Sequence, residues 1–203
     1  MIRKLFDETR VALVINEMQV GIPQLFQAIG AELERRGTVA NIARLADGFR
    51  RNELPVFHTP AMNHPEYVDA LRNSMITSMV VKTGAMRAGT EQVAYLPGLE
   101  PHPSDLVSAR TSGLFALIST DLNVRLRRMG VETLVVTGIS SNVGIPGFAF
   151  AAVDLGYHVV IPEDCIAGSN PEAQDVIVRE QLRMVASIST TDELLDVMSR
   201  SAG

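Results

Sequence analysis

Glu17, Arg110 and the run Thr137-Gly138-Ile139-Ser140-Ser141-Asn142-Val143-Gly144 carry most of the chemistry this sequence could perform. Glu17 stands just past the apolar run Val11–Ile15, where an unpaired charge is costly. Its carboxylate is therefore either tied to backbone donors or to Arg110, or kept as a general acid or base. Arg110 holds its proton under ordinary conditions. It can orient a ligand and stabilise negative charge but cannot exchange a proton, and a structural salt bridge fits it equally well. Cys165, the one cysteine, follows Asp164 past a different strand and reads as a small buried hydrophobe. His58 and His64 could contact a substrate, although two histidines in a loop are more often incidental.

The elements that must position these residues belong to one domain spanning 1–203, since a chain of 203 residues can bury one substantial core. It is 46% hydrophobic and 20% charged, the balance of an ordinary globular protein. A net charge of -5 argues against nucleic-acid and anionic-membrane surfaces. Small anionic ligands stay open, because local fields need not follow net charge. One cysteine excludes an intrachain disulfide and makes a reducing cytoplasm the simplest setting. Asp7, Glu8 and Arg10 interrupt any signal-length apolar run, and the longest apolar stretches are strand-sized, too short for a bilayer.

Val11–Ile15, Pro55-Val56-Phe57-His58, Leu106–Ser108, Thr133–Thr137, Tyr157–Ile161 and Ala186–Ser189 read as strands. Between them lie helical signals. Thr38 can cap a helix with Ile42, Leu45, Ala46 and Phe49 on one face. Asp121 can cap a second through Met129, stopped by Gly130. A third runs from about Ile145 to Leu155 before Gly156. A fourth starts at Pro171 and runs towards Met184, and Thr191-Asp192-Glu193 opens a last one. The alternation implies right-handed crossovers and a Rossmann-like three-layer α/β/α fold, with a mostly parallel sheet of about six strands. Ligands of such sheets lie beyond the carboxyl ends of the strands, and Glu17, Arg110 and Gly144 each fall just past one. Gly21–Gly37 and Ala61–Leu99 need not contribute strands. The second holds Met62, Met75, Met79 and Met86, which read as gap-filling packing or, alternatively, as a lid or dimer surface around the substrate.

Three blocks carry a family resemblance: Val14-Ile15-Asn16-Glu17-Met18-Gln19, Asp105-Leu106-Val107-Ser108-Ala109-Arg110, and the run from Thr137 to Gly144. The stretch Gly130-Val131-Glu132-Thr133-Leu134-Val135-Val136-Thr137-Gly138-Ile139 is the most specific. It is followed by Ala152-Val153-Asp154-Leu155-Gly156-Tyr157-His158-Val159-Val160 and Glu163-Asp164, and preceded by Ser119-Thr120-Asp121-Leu122. From about Val11 to Ala186 the chain resembles the isochorismatase-like superfamily, which includes nicotinamidases, N-carbamoyl amide hydrolases and isochorismatases. In that superfamily the three blocks supply an Asp, a Lys and a nucleophilic Cys, where this chain has Glu17, Arg110 and Gly144. Matching Arg110 together with Ser119–Leu122 requires one inserted residue.

The resemblance implies catalytic positions at Glu17, Arg110 and Gly144, and substrate or oxyanion contacts at Ile139, Ser140, Asn142 and His58. Ile139-Ser140 lies where the family has a non-proline cis peptide whose amides help to bind an oxyanion. Gly144 implies that the thiol route of the nicotinamidases is closed. Isochorismatases also carry glycine there, and their Asp protonates a vinyl carbon before water adds. Glu17 is one methylene longer than Asp, and a misplacement of about 1 Å can cost ~10²-fold, so either the pocket is rebuilt around Glu17 or the ancestral chemistry is gone. Val56, two residues before His58, leaves the Asp-x-His metal pair of some nicotinamidases incomplete. No phosphate-cradling or dinucleotide glycine motif is present, so no metal or other cofactor is expected.

The leading expectation is thus a cytoplasmic hydrolase of a small, anionic molecule (a vinyl ether, or an amide or ureide). It would act by non-covalent acid–base catalysis at Glu17 and assemble as a homo-oligomer, dimer or tetramer, with no nucleic-acid or membrane partner. The alternative is a catalytically degenerate relative that binds a small molecule or serves a structural role.

Overall fold

The run Val11–Asn16, rich in β-branched residues, forms β1 and is buried along its whole length at the middle of a parallel sheet. The structure, a computed structural model, describes residues 1–201. The other strands are β2 (Val56–Thr59), β3 (Leu106–Val107), β4 (Thr133–Ile139), β5 (His158–Pro162), β6 (Ile166–Ala167) and β7 (Ser187–Ser189). Their order is β3-β2-β1-β4-β5-β7, with β6 paired to the carboxyl end of β4, and every pairing is parallel. The helices are α1 (Ile2–Glu8), α2 (Gly21–Leu25), α3 (Gln27–Arg36), α4 (Thr38–Arg51), α5 (Met75–Thr83), α6 (Ala116–Ser119), α7 (Leu122–Arg128), α8 (Gly144–Asp154), α9 (Pro171–Ile177), α10 (Arg183–Val185) and α11 (Thr191–Ser201). None is long and apolar enough to cross a membrane.

Side chains alternate across β1 because successive residues of a strand point to opposite faces. Val11, Leu13 and Ile15 pack with Ile42, Leu45 and Phe49 of α4 and with Leu194 and Met198 of α11. Ala12 and Val14 pack on the other face with Leu122 and Leu126 of α7 and Ile145 and Phe148 of α8. The result is the expected three-layer α/β/α sandwich, with one more strand than expected. That strand, β6, has two residues and too little pattern to be seen in sequence. The helix expected from Pro171 to Met184 contains a π-helical turn at Val178–Leu182, and the two ends of that turn, Val178 and Leu182, are buried in the core. Gly21–Gly37 holds α2 and α3. Ala61–Leu99 contributes no named strand and holds α5, whose first turn is capped reciprocally by Ser74 and Thr77.

β3 is joined to β2 by two residue pairs only, so side chains complete its anchorage. Asp105, immediately before β3, has a side chain 1% exposed. It accepts from Arg50 Nε at 3.1 Å and Nη2 at 2.7 Å, and from the His102 amide at 2.9 Å. His58 Nε2 lies 3.0 Å from the same carboxylate. Burial pushes the Asp105 carboxyl up, but the bonds from Arg50, the His102 amide and His58 together hold it below the usual carboxylate range. Burial pushes His58 below its ordinary value, outweighing the attraction of Asp105. His58 thus sits inside this anchor, where the resemblance had implied a substrate contact.

Both shifts have one sign. The unfolded chain binds protons that the folded chain releases, so stability falls as pH falls. The His58 contribution is present above about pH 6.5 and is lost on acidification; that of Asp105 follows below about pH 4. The urea midpoint is expected to drop between pH 7.5 and 5.5, and to drop less in His58→Gln. A midpoint that holds or rises over that interval in the wild type would refute this assignment.

Candidate active site

At the end of β1 the chain turns sharply. Glu17 adopts a left-handed backbone with φ 54°, its amide donating to Thr59 O at 3.3 Å. Two residues on, Gln19 is fully buried. Its Nε2 donates to Ala61 O at 3.0 Å and Val93 O at 2.9 Å, and its Oε1 accepts from the Ala61 amide at 2.6 Å. A primary amide offers two donors and an acceptor, and here all three functions tie the 61–99 segment to the end of β1.

Arg110 arrives past the carboxyl end of β3, parallel to β2. Past β3 its main chain runs alongside the extension of β2, donating to Pro60 O at 2.8 Å and accepting from the Met62 amide at 2.9 Å. Its Nη1 donates to Gly113 O at 2.7 Å, and its Nη2 bonds Glu17 Oε1. The two side chains, 13% and 15% exposed, form an ion pair.

The third component is the end of β4 and the turn that follows it. Gly138 has φ 105°, and a Cβ there would lie 2.1 Å from Asn16 O. The Ile139–Ser140 peptide is cis, the geometry the resemblance implied. Asn16 Nδ2 donates to Ile139 O at 2.6 Å, and Thr59 Oγ1 donates to Asn16 Oδ1 at 3.0 Å. From the other side, the Ser141 amide donates to Ala167 O of β6 at 2.9 Å, and Ser141 Oγ bonds Gln174 Oε1 at 3.0 Å. The Ser140 carbonyl accepts from the Ile145 amide at 2.9 Å, which fixes the start of α8 against the turn.

These pieces meet at a cavity of about 370 Å³. Among the described residues, Glu17 and Arg110 are the charged groups lining it, with Ser112, Ser140 and Asn142 as polar neighbours. Met62, Met75, Met79 and Met86 all line it, so the methionine-rich segment forms a wall of the cavity, and its reading as packing filler alone is too narrow. An anionic substrate, the sequence-based expectation, would find no unpaired cation in the wall, because Arg110 is already matched by Glu17. Among the described residues no three His, Cys, Asp or Glu side chains converge as metal ligands would.

The sequence-based candidates separate accordingly. Glu17, Arg110, Ser140 and Asn142 share the cavity. Ile139 is fully buried behind it, among residues of the β1–α4 layer. Gly144 lies behind Val143, and a Cβ on it would point at Ile139 O, 2.9 Å away, and Asn16 Nδ2, 3.1 Å away. His58 faces Asp105 and the edge of Tyr95. His64 is exposed and accepts from the Glu66 amide at 3.1 Å. Cys165 is buried in the core, 3.1 Å from Thr191 Oγ1, and burial pushes its thiol up to about 12. Asn16, Gln19 and Gln174 are the residues that sequence reasoning did not assign. The available signal was polarity in apolar surroundings, since buried polar groups need partners.

Comparison with known proteins adds an independent line. The Isochorismatase domain matches residues 11–193. "Uncharacterized isochorismatase family protein YwoC" of Bacillus subtilis (strain 168) is 27% identical over 191 residues, covering 94% of this chain and 95% of its own. "Ureidoacrylate amidohydrolase RutB" of Agrobacterium fabrum is 25% identical over 182 residues, covering 82% and 78%. The crystal structure of an isochorismatase family protein from Desulfovibrio vulgaris superposes with a TM-score of 0.80 at 28% identity, covering 95% of this chain and all of its own.

Proposed function

The chain belongs to the isochorismatase family, and from that premise we propose that it hydrolyses an amide or ureide bond of a small molecule without a covalent intermediate. The observation that carries this reading is the Glu17–Arg110 ion pair at the wall of a cavity. A guanidinium favours the charged form of a carboxylate beside it, and the charged form can accept a proton but has none to give, which favours attack by water on a carbonyl over protonation of a vinyl carbon. Glu17 takes a proton from water, whose oxygen bonds to the carbonyl carbon. Negative charge gathers on the carbonyl oxygen, where Arg110 stabilises it. The C–N bond then breaks, and the proton held by Glu17 passes to the departing nitrogen. The polar edge at Ser140 and Asn142 assists. The amidohydrolase name carried by a relative points to the same bond type.

Thiol catalysis has no place in this scheme. Gly144 offers no nucleophile, and Cys165 lies in the core with its thiol protonated at neutral pH. Hydrolysis across a panel of amides, ureides and vinyl ethers tests the reading. Turnover is expected on the carbonyl substrates and should survive both iodoacetamide and Cys165→Ser. Loss of turnover in a folded Cys165→Ser protein would show the nucleophile to be misassigned.

The Glu17–Arg110 bond also favours a second reading, because two side chains that satisfy each other can be purely structural. A binding protein with a degenerate site would turn over nothing in the panel, and its ligand affinity would be insensitive to Glu17→Gln.

A further inference from the structure

Helix α5 has an apolar composition, Met-Ile-Thr-Ser-Met-Val-Val-Lys-Thr, yet none of its residues is buried. Its apolar side chains Ile76, Met79 and Val80 line the cavity, opposite Phe26 and Ile29 from the α2–α3 region. An apolar wall of this kind favours an apolar ligand over water, and methionine adapts to varied ligand shapes. At about 30 Å³ for each water-sized group, the cavity of about 370 Å³ accommodates roughly a dozen non-hydrogen atoms.

The polar end of the cavity has a different demand. Arg110 is already bonded to Glu17. A ligand carboxylate would have to take Arg110 from Glu17, leaving a carboxylate that is 15% exposed without its partner, or else lie beside it as a like charge. A primary amide has neither difficulty. Its N–H donates to the Glu17 carboxylate and its carbonyl accepts from the Arg110 guanidinium, so the pair is bridged and not broken.

We propose that this cavity takes neutral primary amides carrying an apolar tail, the head alongside the intact Glu17–Arg110 pair and the tail against α5. This names the substrate class of the hydrolase reading and rests on it.

Calorimetric titration of the full-length protein with acetamide, butanamide, hexanamide and octanamide, against hexanoate and octanoate, tests the class by binding alone. Affinity is expected to rise about two- to fourfold for each added methylene, and octanamide to bind at least tenfold more tightly than octanoate. Ile76→Asp should flatten the chain-length dependence, lowering octanamide affinity far more than acetamide affinity. Met79→Asp provides the same test should Ile76→Asp fail to fold. Equal affinity along the amide series, or tighter binding of the carboxylates, overturns the proposal. Released ammonia is scored separately. Amides that bind with chain-length dependence but release none would sink the hydrolase reading and leave the ligand class standing. Hydrolysis confined to short charged ureides would do the reverse.

Discussion

Glu17→Gln is expected to lower kcat by about 10²–10⁴-fold on the best substrate of the panel, the usual contribution of a positioned acid–base group. The substitution is close to isosteric. Its carbonyl oxygen can still accept from Arg110 Nη2, and its left-handed backbone position is occupied by a side chain of the same length. Folding should therefore persist while proton transfer is lost. Arg110→Lys offers the complementary result. Lysine keeps the charge but cannot bond Glu17 and the Gly113 carbonyl together from one planar fork, so KM should rise more than kcat falls. Wild-type turnover retained by Glu17→Gln, measured on protein with an unchanged circular dichroism spectrum, would remove Glu17 from the reaction and return the ion pair to a structural role.

Gly138→Ala is expected to cost about 3 kcal/mol or more, from two causes. An L side chain at φ 105° is strained, and its Cβ would meet Asn16 O at 2.1 Å, a backbone atom that cannot swing aside. Gly144→Cys makes an instructive partner. It places a thiol where the resemblance puts the family's nucleophile, but its Cβ would lie 2.9 Å from Ile139 O and 3.1 Å from Asn16 Nδ2. A smaller loss of about 1–3 kcal/mol is expected, with no gain in turnover and no new sensitivity to iodoacetamide. Urea titrations of the two variants should rank Gly138→Ala as the more damaged. A Gly138→Ala protein as stable as the wild type would mean that the turn is not packed against β1 as described.

The pairing of Asn16 with Ile139 O and Thr59 explains why a cysteine is a poor fit at 144. Its side chain amide stands beside the turn and holds it against the end of β1, so the region is closed around a glycine. Asn16 links the last residues of β1, β2 and β4 into one polar cluster, directly beneath the cavity that Glu17 and Arg110 line.

Sequence alone determined the layered α/β/α fold. Runs such as Val11–Ile15 and Thr133–Thr137 are strand-length and apolar throughout, and α4 shows its buried face at helical spacing, patterns that only a sheet covered on both sides satisfies. It also determined that Glu17, Arg110 and the 137–144 turn gather at one edge, since all follow parallel strands. Contacts across long sequence separations were decided only by the tertiary structure. His58 reads as a site residue by its place in the chain, yet the buried carboxylate of Asp105, 47 residues away, draws it into an anchor for β3. The methionines of 61–99 carry no strand or strong helical pattern, so their place on the cavity wall depends on Gln19 binding that segment to β1. Whether Arg110 would meet an anion or Glu17 was likewise decided by the fold, because the two residues are 93 positions apart. Only the parallel neighbours β1 and β2, with Arg110 running beside the extension of β2, bring the charges within bonding distance, and the proposed preference for a neutral amide rests on that proximity.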